Sequence, residues 1–138
     1  KENLSEVLPL IREYQDFYKV DNISDSRNKE FFSQLGENNA SGCQFLYRHN
    51  DSVVGFATLY FTYASTIAAK VAVLSDLFTV SEMRGNGIGR QLIEHCRAYA
   101  MGKGAVRLQW VTAPDNKPAQ LLYETIGAKK STWLFYTY

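Results

Sequence analysis

A chain of 138 residues with 46% hydrophobic and 21% charged residues reads as one globular domain over residues 1–138, long enough to bury a core and too short for a second. Its net charge is +1, with Lys and Arg scattered among nearly equal numbers of Asp and Glu, which leaves no electrostatic footprint for nucleic acid. No apolar run reaches the roughly 18 residues needed to cross a bilayer, no signal pattern opens the chain, and two cysteines are too few for a disulfide framework. The expectation is a soluble, cytoplasmic protein with no membrane partner.

Residues 4–18 place Leu4, Val7, Leu8, Ile11, Gln15 and Tyr18 at helical spacing, with Glu6, Glu13 and Asp16 turned mostly elsewhere. Pro9 inside this helix removes a backbone bond, so a kink or break is expected over residues 5–9. A loop over residues 21–28 leads to a second helix over 28–38, which Gly36 and Asn38 are suited to end. From Cys43 the character changes. Residues 43–49 and 53–65 are rich in β-branched and aromatic types, and Asn50-Asp51 between them marks a hairpin. The longer strand is apolar on both alternating faces, with Val53, Ala57, Leu59 and Phe61 on one and Val54, Phe56 and Tyr60 on the other, so it is expected to be covered on both sides.

A third strand over 67–80 runs into the glycine-rich loop "MRGNGIG" at 83–89. A helix follows with Ile88, Leu92, Cys96 and Ala100 in one stripe, stopped by Gly102 and Gly104. Then come a strand over 105–112, a helix over 116–127 closed by Gly127, and a last strand over 131–138. This order calls for an α/β (α+β) domain with a mixed sheet and helices on both faces.

Glycines at alternate positions let the backbone take conformations closed to other residues, and a helix N-terminus directly after them converges amide N–H groups and the positive end of the dipole on one point. The natural guest of such a loop is a phosphate, to which Arg84 and Arg90 are placed to add charge. The loop is not G-x-G-x-x-G opening a βαβ unit, and no G-K-[ST] is present, so dinucleotide folds and nucleoside triphosphatases are disfavoured.

The pattern present is Arg84-x-x-Gly87-x-Gly89, and here the sequence resembles the GNAT superfamily of acyl-CoA-dependent N-acetyltransferases, whose pyrophosphate loop is [RQ]-x-x-G-x-[GA]. "LSDLFTVSEMRGNGIGRQLIEHCRAYA" looks like that family's strand, loop and helix, and "NKPAQLLYETIG" looks like its next block, so that the resemblance covers residues 74–129 closely. It implies the GNAT fold with a mostly antiparallel central sheet, acetyl-CoA as co-substrate, no metal, and a primary amine as acceptor. That acceptor is a small amine or polyamine, an aminoglycoside, or a protein lysine or N-terminus. The family also opens with a strand for which this sequence has no segment ahead of its first helix.

By the same resemblance the loop residues Arg84, Gly85, Asn86, Gly87, Ile88, Gly89 and Arg90 hold the pyrophosphate, and the main chain of Phe78 and Val80 holds the pantetheine arm. Asn116 and Tyr123, seven residues apart and therefore on one helix face, meet the cofactor. Asn116 would bond the pantetheine or else cap its helix, with Asp115 an equally good capper; Tyr123 would protonate the leaving thiolate or else pack as a half-buried aromatic. Asp76 is the candidate general base, with a purely structural carboxylate as the alternative. Glu13, Asp16, Asp21 and Asp25 either attract a cationic amine or form a solvated face. A non-catalytic acyl-CoA-binding regulatory module is the competing function. Residues 131–138 carry aromatics on both faces, which calls for packing inside the monomer or for a homodimer through this C-terminal strand.

Overall fold

The computed structural model of the protein describes residues 3–36 and 39–138. Its elements run α1 (Leu4–Phe17), α2 (Asp25–Phe32), β1 (Gly42–His49), β2 (Ser52–Ala64), β3 (Ala69–Thr79), α3 (Ile88–Gly102), β4 (Leu108–Gln109) and α4 (Lys117–Thr125). The sheet order follows the chain, β1-β2-β3-β4, antiparallel except for the parallel β3–β4 pair.

Helix α1 runs unbroken through Pro9. The carbonyl that loses its donor is that of Ser5, in the exposed first turn, where water replaces the missing bond at little cost. Helix α2 starts three residues earlier than the periodicity suggests, because the Ser24 hydroxyl caps it by accepting from the Arg27 amide at 3.2 Å. It ends at Phe32, well short of Gly36; Asn38, the other expected stop, lies outside the described residues.

The Asn50-Asp51 hairpin forms as expected. Both residues adopt positive φ, 50° and 65°, as a two-residue turn between right-twisting strands requires. The double-sided burial of β2 is also as expected. Tyr14 of α1 sets its ring edge against Phe56 and Phe78 on one face. On the other face a side chain at Gly55 would strike Ile88 and Leu92 of α3, while Phe45 and Phe61 pack on Tyr99. Phe56, Leu59 and Ile11 are fully buried at the centre. Cys96 is buried on the α3 stripe and Cys43 is buried in β1; both are free thiols, and burial pushes the Cys96 thiol up to about 12.

Two departures matter for function. Strand β3 carries one extra residue. Leu59 faces Leu74 but Thr58 faces Asp76, so Ser75 is bulged out of the ladder. The segment read as a strand over 105–112 pairs with β3 only at Ala72↔Leu108 and Val73↔Gln109 and then diverges. The expectation of a strand over 131–138 is not met. These residues form no ladder, and Trp133 and Phe135, which alternation puts on the same face, stand 92% and 87% exposed. A strand exists only by pairing, and this segment pairs with none of the described strands.

Candidate active site

Beyond Val73 and Gln109, β3 and β4 part, and the cleft between them is lined by Leu74, Ser75 and Leu77 on one wall and Trp110 and Thr112 on the other. Tyr14 and Tyr18 of α1 and Tyr123 of α4 close over it. The cleft therefore has a strand edge on one side and phenol groups around its mouth.

The main-chain groups on that edge are set by the β2–β3 register. The Val80 amide donates to the Val54 carbonyl at 2.9 Å, and in an antiparallel ladder hydrogen-bonded residues alternate with outward-facing ones. Phe78, paired with Phe56, shares the orientation of Val80, so the N–H and C=O groups of both turn toward β2. The polar groups that face away from β2 belong to Leu77 and Thr79. This corrects the sequence expectation by one residue: Phe78 and Val80 contribute buried side chains, and their neighbours contribute the outward edge, on which the Thr79 carbonyl accepts from Arg84.

The loop after β3 presents Gly85 and Gly87 with φ of 83° and 78°, conformations that other residues take only with strain. Gly87 is the N-cap of α3 and no side chain answers the first-turn amides of Ile88, Gly89 and Arg90. Added Cβ atoms at Gly85 and Gly87 would meet nothing within 4 Å, so the approach to these amides is open; one at Gly89 would press on Leu122 of α4 at 3.3 Å. Asn86 donates to the Met83 carbonyl at 2.9 Å, which braces the loop from within. Arg90 pairs with Glu94 at 3.1 Å, and Arg84 donates to the Thr79 carbonyl at 3.0 Å with its guanidinium 5.5 Å from the rings of both Phe17 and Phe78. Arg84 thus ties the loop to the end of α1.

Asn116 is the N-cap of α4, where its side-chain oxygen accepts from the Ala119 amide at 3.4 Å; its amide NH₂ is left to other partners. Tyr123 is half-buried, edge-on to Trp110 at 5.1 Å, and shares the cleft with Thr112. Burial, and next Tyr18, push its phenol above the ordinary range. It remains a protonated donor at neutral pH.

The hydroxyls of Thr58, its cross-strand partner, and of Tyr14 lie beside the Asp76 carboxyl. Burial raises its carboxyl above the usual carboxylate range, and the two hydroxyl donors oppose that rise. Of the acids of the first helix and loop, Glu13, Asp16 and Asp21 are exposed, and Asp25 pairs with Arg12 at 2.9 Å. Spacing alone had passed over Tyr14, Thr58, Leu77 and Thr79. The signals were a phenol between the apolar Ile11 and Tyr18 and a hydroxyl inside the apolar run 53–61. Among the described residues no three His, Cys, Asp or Glu side chains gather in a way that would hold a metal ion, and no helix is long and apolar enough to cross a membrane.

Residues 8–128 match the acetyltransferase (GNAT) family model. A Bacillus subtilis protein described as an uncharacterised N-acetyltransferase is 31% identical over 126 residues, covering 91% of this chain and 83% of its own. A thialysine N-epsilon-acetyltransferase of Sus scrofa is 29% identical, covering 91% of this chain and 78% of its own. Among solved structures, that of a probable acetyltransferase superposes with a TM-score of 0.86 at 26% identity, covering 99% of this chain and 91% of that one.

Proposed function

The chain belongs to the acetyltransferase (GNAT) family, the acetyl-CoA-dependent N-acetyltransferases, and we propose that it moves the acetyl group of acetyl-CoA onto the primary amine of a small cationic acceptor. The observation that carries this is the cleft left where β4 departs from β3, with a free strand edge on one wall and Tyr123 at its mouth. The residues fit the co-substrate. The open amides of the loop suit a pyrophosphate, and the main-chain N–H and C=O of Leu77 with the N–H of Thr79 are offered to the amides of a pantetheine arm running alongside β3. The Asn116 NH₂ is placed at the head of α4 to add a further donor.

What acetyl-CoA supplies is an activated acetyl carbonyl with a thiolate leaving group. Tyr123 protonates that thiolate, and Asp76 takes a proton from the amine, which is mostly protonated at neutral pH. A non-catalytic sensor has no use for such an acid and base pair. The small acceptor is supported by the chemistry around Tyr14 and Tyr18, since phenol faces suit an alkylammonium group and the Asp76 carboxylate stands behind Tyr14. It accords with the amine substrate for which the thialysine N-epsilon-acetyltransferase relative is named. Aminoglycosides and protein lysines or N-termini belong to the same chemical class and serve as the controls. Thiol release from acetyl-CoA across an amine panel tests the reading: a small alkylamine should outpace aminoglycosides and peptides, and the reverse order would overturn it.

The loop makes a separate prediction. Gly87→Val places a β-branched residue at φ 78°, which strains the loop by about 1–3 kcal/mol and crowds the amides. Calorimetry should find the CoA affinity reduced at least tenfold in a variant that still melts cooperatively. Unchanged affinity would remove the pyrophosphate from this loop.

We also propose a homodimer. Trp133, Leu134, Phe135, Tyr136 and Tyr138 are all exposed, as is Val111 at 87% beside the parting of β4, so a second copy offers the missing cover. Sedimentation should show a species of about twice 15.7 kDa that a chain truncated after Ser131 no longer forms. A full-length monomer at high micromolar concentration would end that reading. The buried free thiols suit a reducing, cytoplasmic location.

A further inference from the structure

Asp76 does not itself line the cleft; Tyr14 does, with its ring edge against Phe78, two residues along β3 from Asp76, and its phenol beside the carboxyl. Behind the carboxylate lies a row of residues in direct cross-strand register, Gln44 of β1 facing Thr58 of β2, and Thr58 facing Asp76 of β3. Thr58 is fully buried, and its oxygen accepts from the Gln44 side-chain amide at 3.1 Å. A hydroxyl has one proton, and with Gln44 as donor that proton is left to point at Asp76. The bulge at Ser75 begins immediately beside this row and sets the facing of Asp76 toward α1.

Resting on the reading of Asp76 as the base, we propose that Tyr14 is the catalytic group that meets the acceptor amine, passing its own proton to Asp76, and that Thr58, held by Gln44, is the positioning residue that fixes the carboxylate for this exchange. The ammonium proton moves to the Tyr14 oxygen as the Tyr14 proton moves to the carboxylate. The freed nitrogen lone pair forms the C–N bond, the C–S bond breaks with its electron pair going to sulfur, and Tyr123 protonates the sulfur. Two protons leave the nitrogen in all. One passes by way of Asp76 to solvent, and the other replaces the proton that Tyr123 gave up.

The other titratable groups around the carboxylate are Tyr60 of β2 and, beyond Tyr14, Tyr18 of α1 and Tyr123 of α4. The charged group on that side is Arg84, over the rings of Phe17 and Phe78. A base works when ionised, so activity is lost as pH falls through the Asp76 pKa. Burial has already raised that pKa, and removing a hydroxyl that opposes the rise moves the acid limb further up.

The test compares Tyr14→Phe, Asp76→Asn, Thr58→Val and Thr58→Ser by rate profiles against pH, by proton inventory in mixed light and heavy water, and by carbon-13 titration of the Asp76 carboxyl in the ligand-free protein. Tyr14→Phe should lower kcat by roughly 10² to 10⁴-fold and abolish the curvature that two protons in flight give the inventory of the parent. Thr58→Val should move both the acid limb and the carboxyl titration up by about one pH unit, with kcat recovered above the limb, and Thr58→Ser should restore the parent values. If Thr58→Val does not fold, Gln44→Leu, which lies nearer the surface, should produce a smaller upward shift of the same kind. Asp76→Asn inactive beside Tyr14→Phe within about twofold of the parent would overturn the relay and leave Asp76 as a direct base. An unmoved carboxyl titration in Thr58→Val would overturn the positioning role. Full activity in Asp76→Asn would overturn the base assignment itself and the relay with it.

Discussion

Tyr123→Phe should lower turnover by roughly 10² to 10⁴-fold, the range typical of losing a general acid, while leaving acetyl-CoA affinity almost unchanged. The substitution removes one oxygen and keeps the ring, which holds its edge-on contact with Trp110 at 5.1 Å. The phosphate loop, with Gly85 and Gly87, lies outside that contact and is untouched. Burial keeps the phenol protonated through the neutral range, so the proton is available when the thiolate forms. A thiolate is a tolerable leaving group even unprotonated, its conjugate thiol having a pKa near 8.5, which places the expected loss toward the lower end. The loss belongs in kcat more than in the cofactor KM, because the interaction is made mainly in the transition state. Steady-state kinetics within about twofold of the parent, with chemistry shown to be rate-limiting, would remove Tyr123 from the acid's role.

Phe56→Ala should cost about 3–5 kcal/mol of stability, measured by denaturant unfolding. Phe56 is fully buried and touches the Tyr14 ring at 5.6 Å and the Phe78 ring at 6.1 Å, so its removal opens a void directly under the candidate site. The effect reaches function as well. Tyr14 loses one of its three aromatic contacts, those with Tyr18, Phe56 and Phe78, and turnover in the surviving folded fraction should fall although no polar group has been touched. A loss below about 1 kcal/mol would mean that the core collapses into the void and that Tyr14 is held by something else.

The glycine loop, the helix behind it and the block from Asn116 to Gly127 were legible because their chemistry is local: positive φ at Gly85 and Gly87, a helix N-terminus, and two residues one helical face apart. The apolar alternation of β2 announced a strand covered on both sides for the same reason. Register is not local. Nothing in "LSDLFTV" says which residues turn their amides toward β2, and the bulge at Ser75 is visible only once Thr58 is known to face Asp76. The one-residue displacement from Phe78 and Val80 to Leu77 and Thr79 follows from that. Tyr14 was passed over because helical spacing sorts residues by face and says nothing of a partner 62 positions away. The strand expected over 131–138 failed for a third reason: aromatic alternation records a preference for pairing, and no described strand pairs with this segment.

The ladder between β3 and β4 is two pairs long, and where it stops is where the cleft begins. That makes the ladder a zip fastener whose slider position sets the length of the open slot. Each further pair closed would shorten the slot by about 3.3 Å, a distance comparable to two or three methylene groups of an acyl chain. Substitutions at the exposed Val111 that favour or oppose pairing would then change which acyl thioesters fit, without touching a side chain assigned to handle a proton. In this architecture the choice of acyl donor and the chemistry performed on it are separately adjustable, the first by the strand's backbone and the second by the phenols around its mouth.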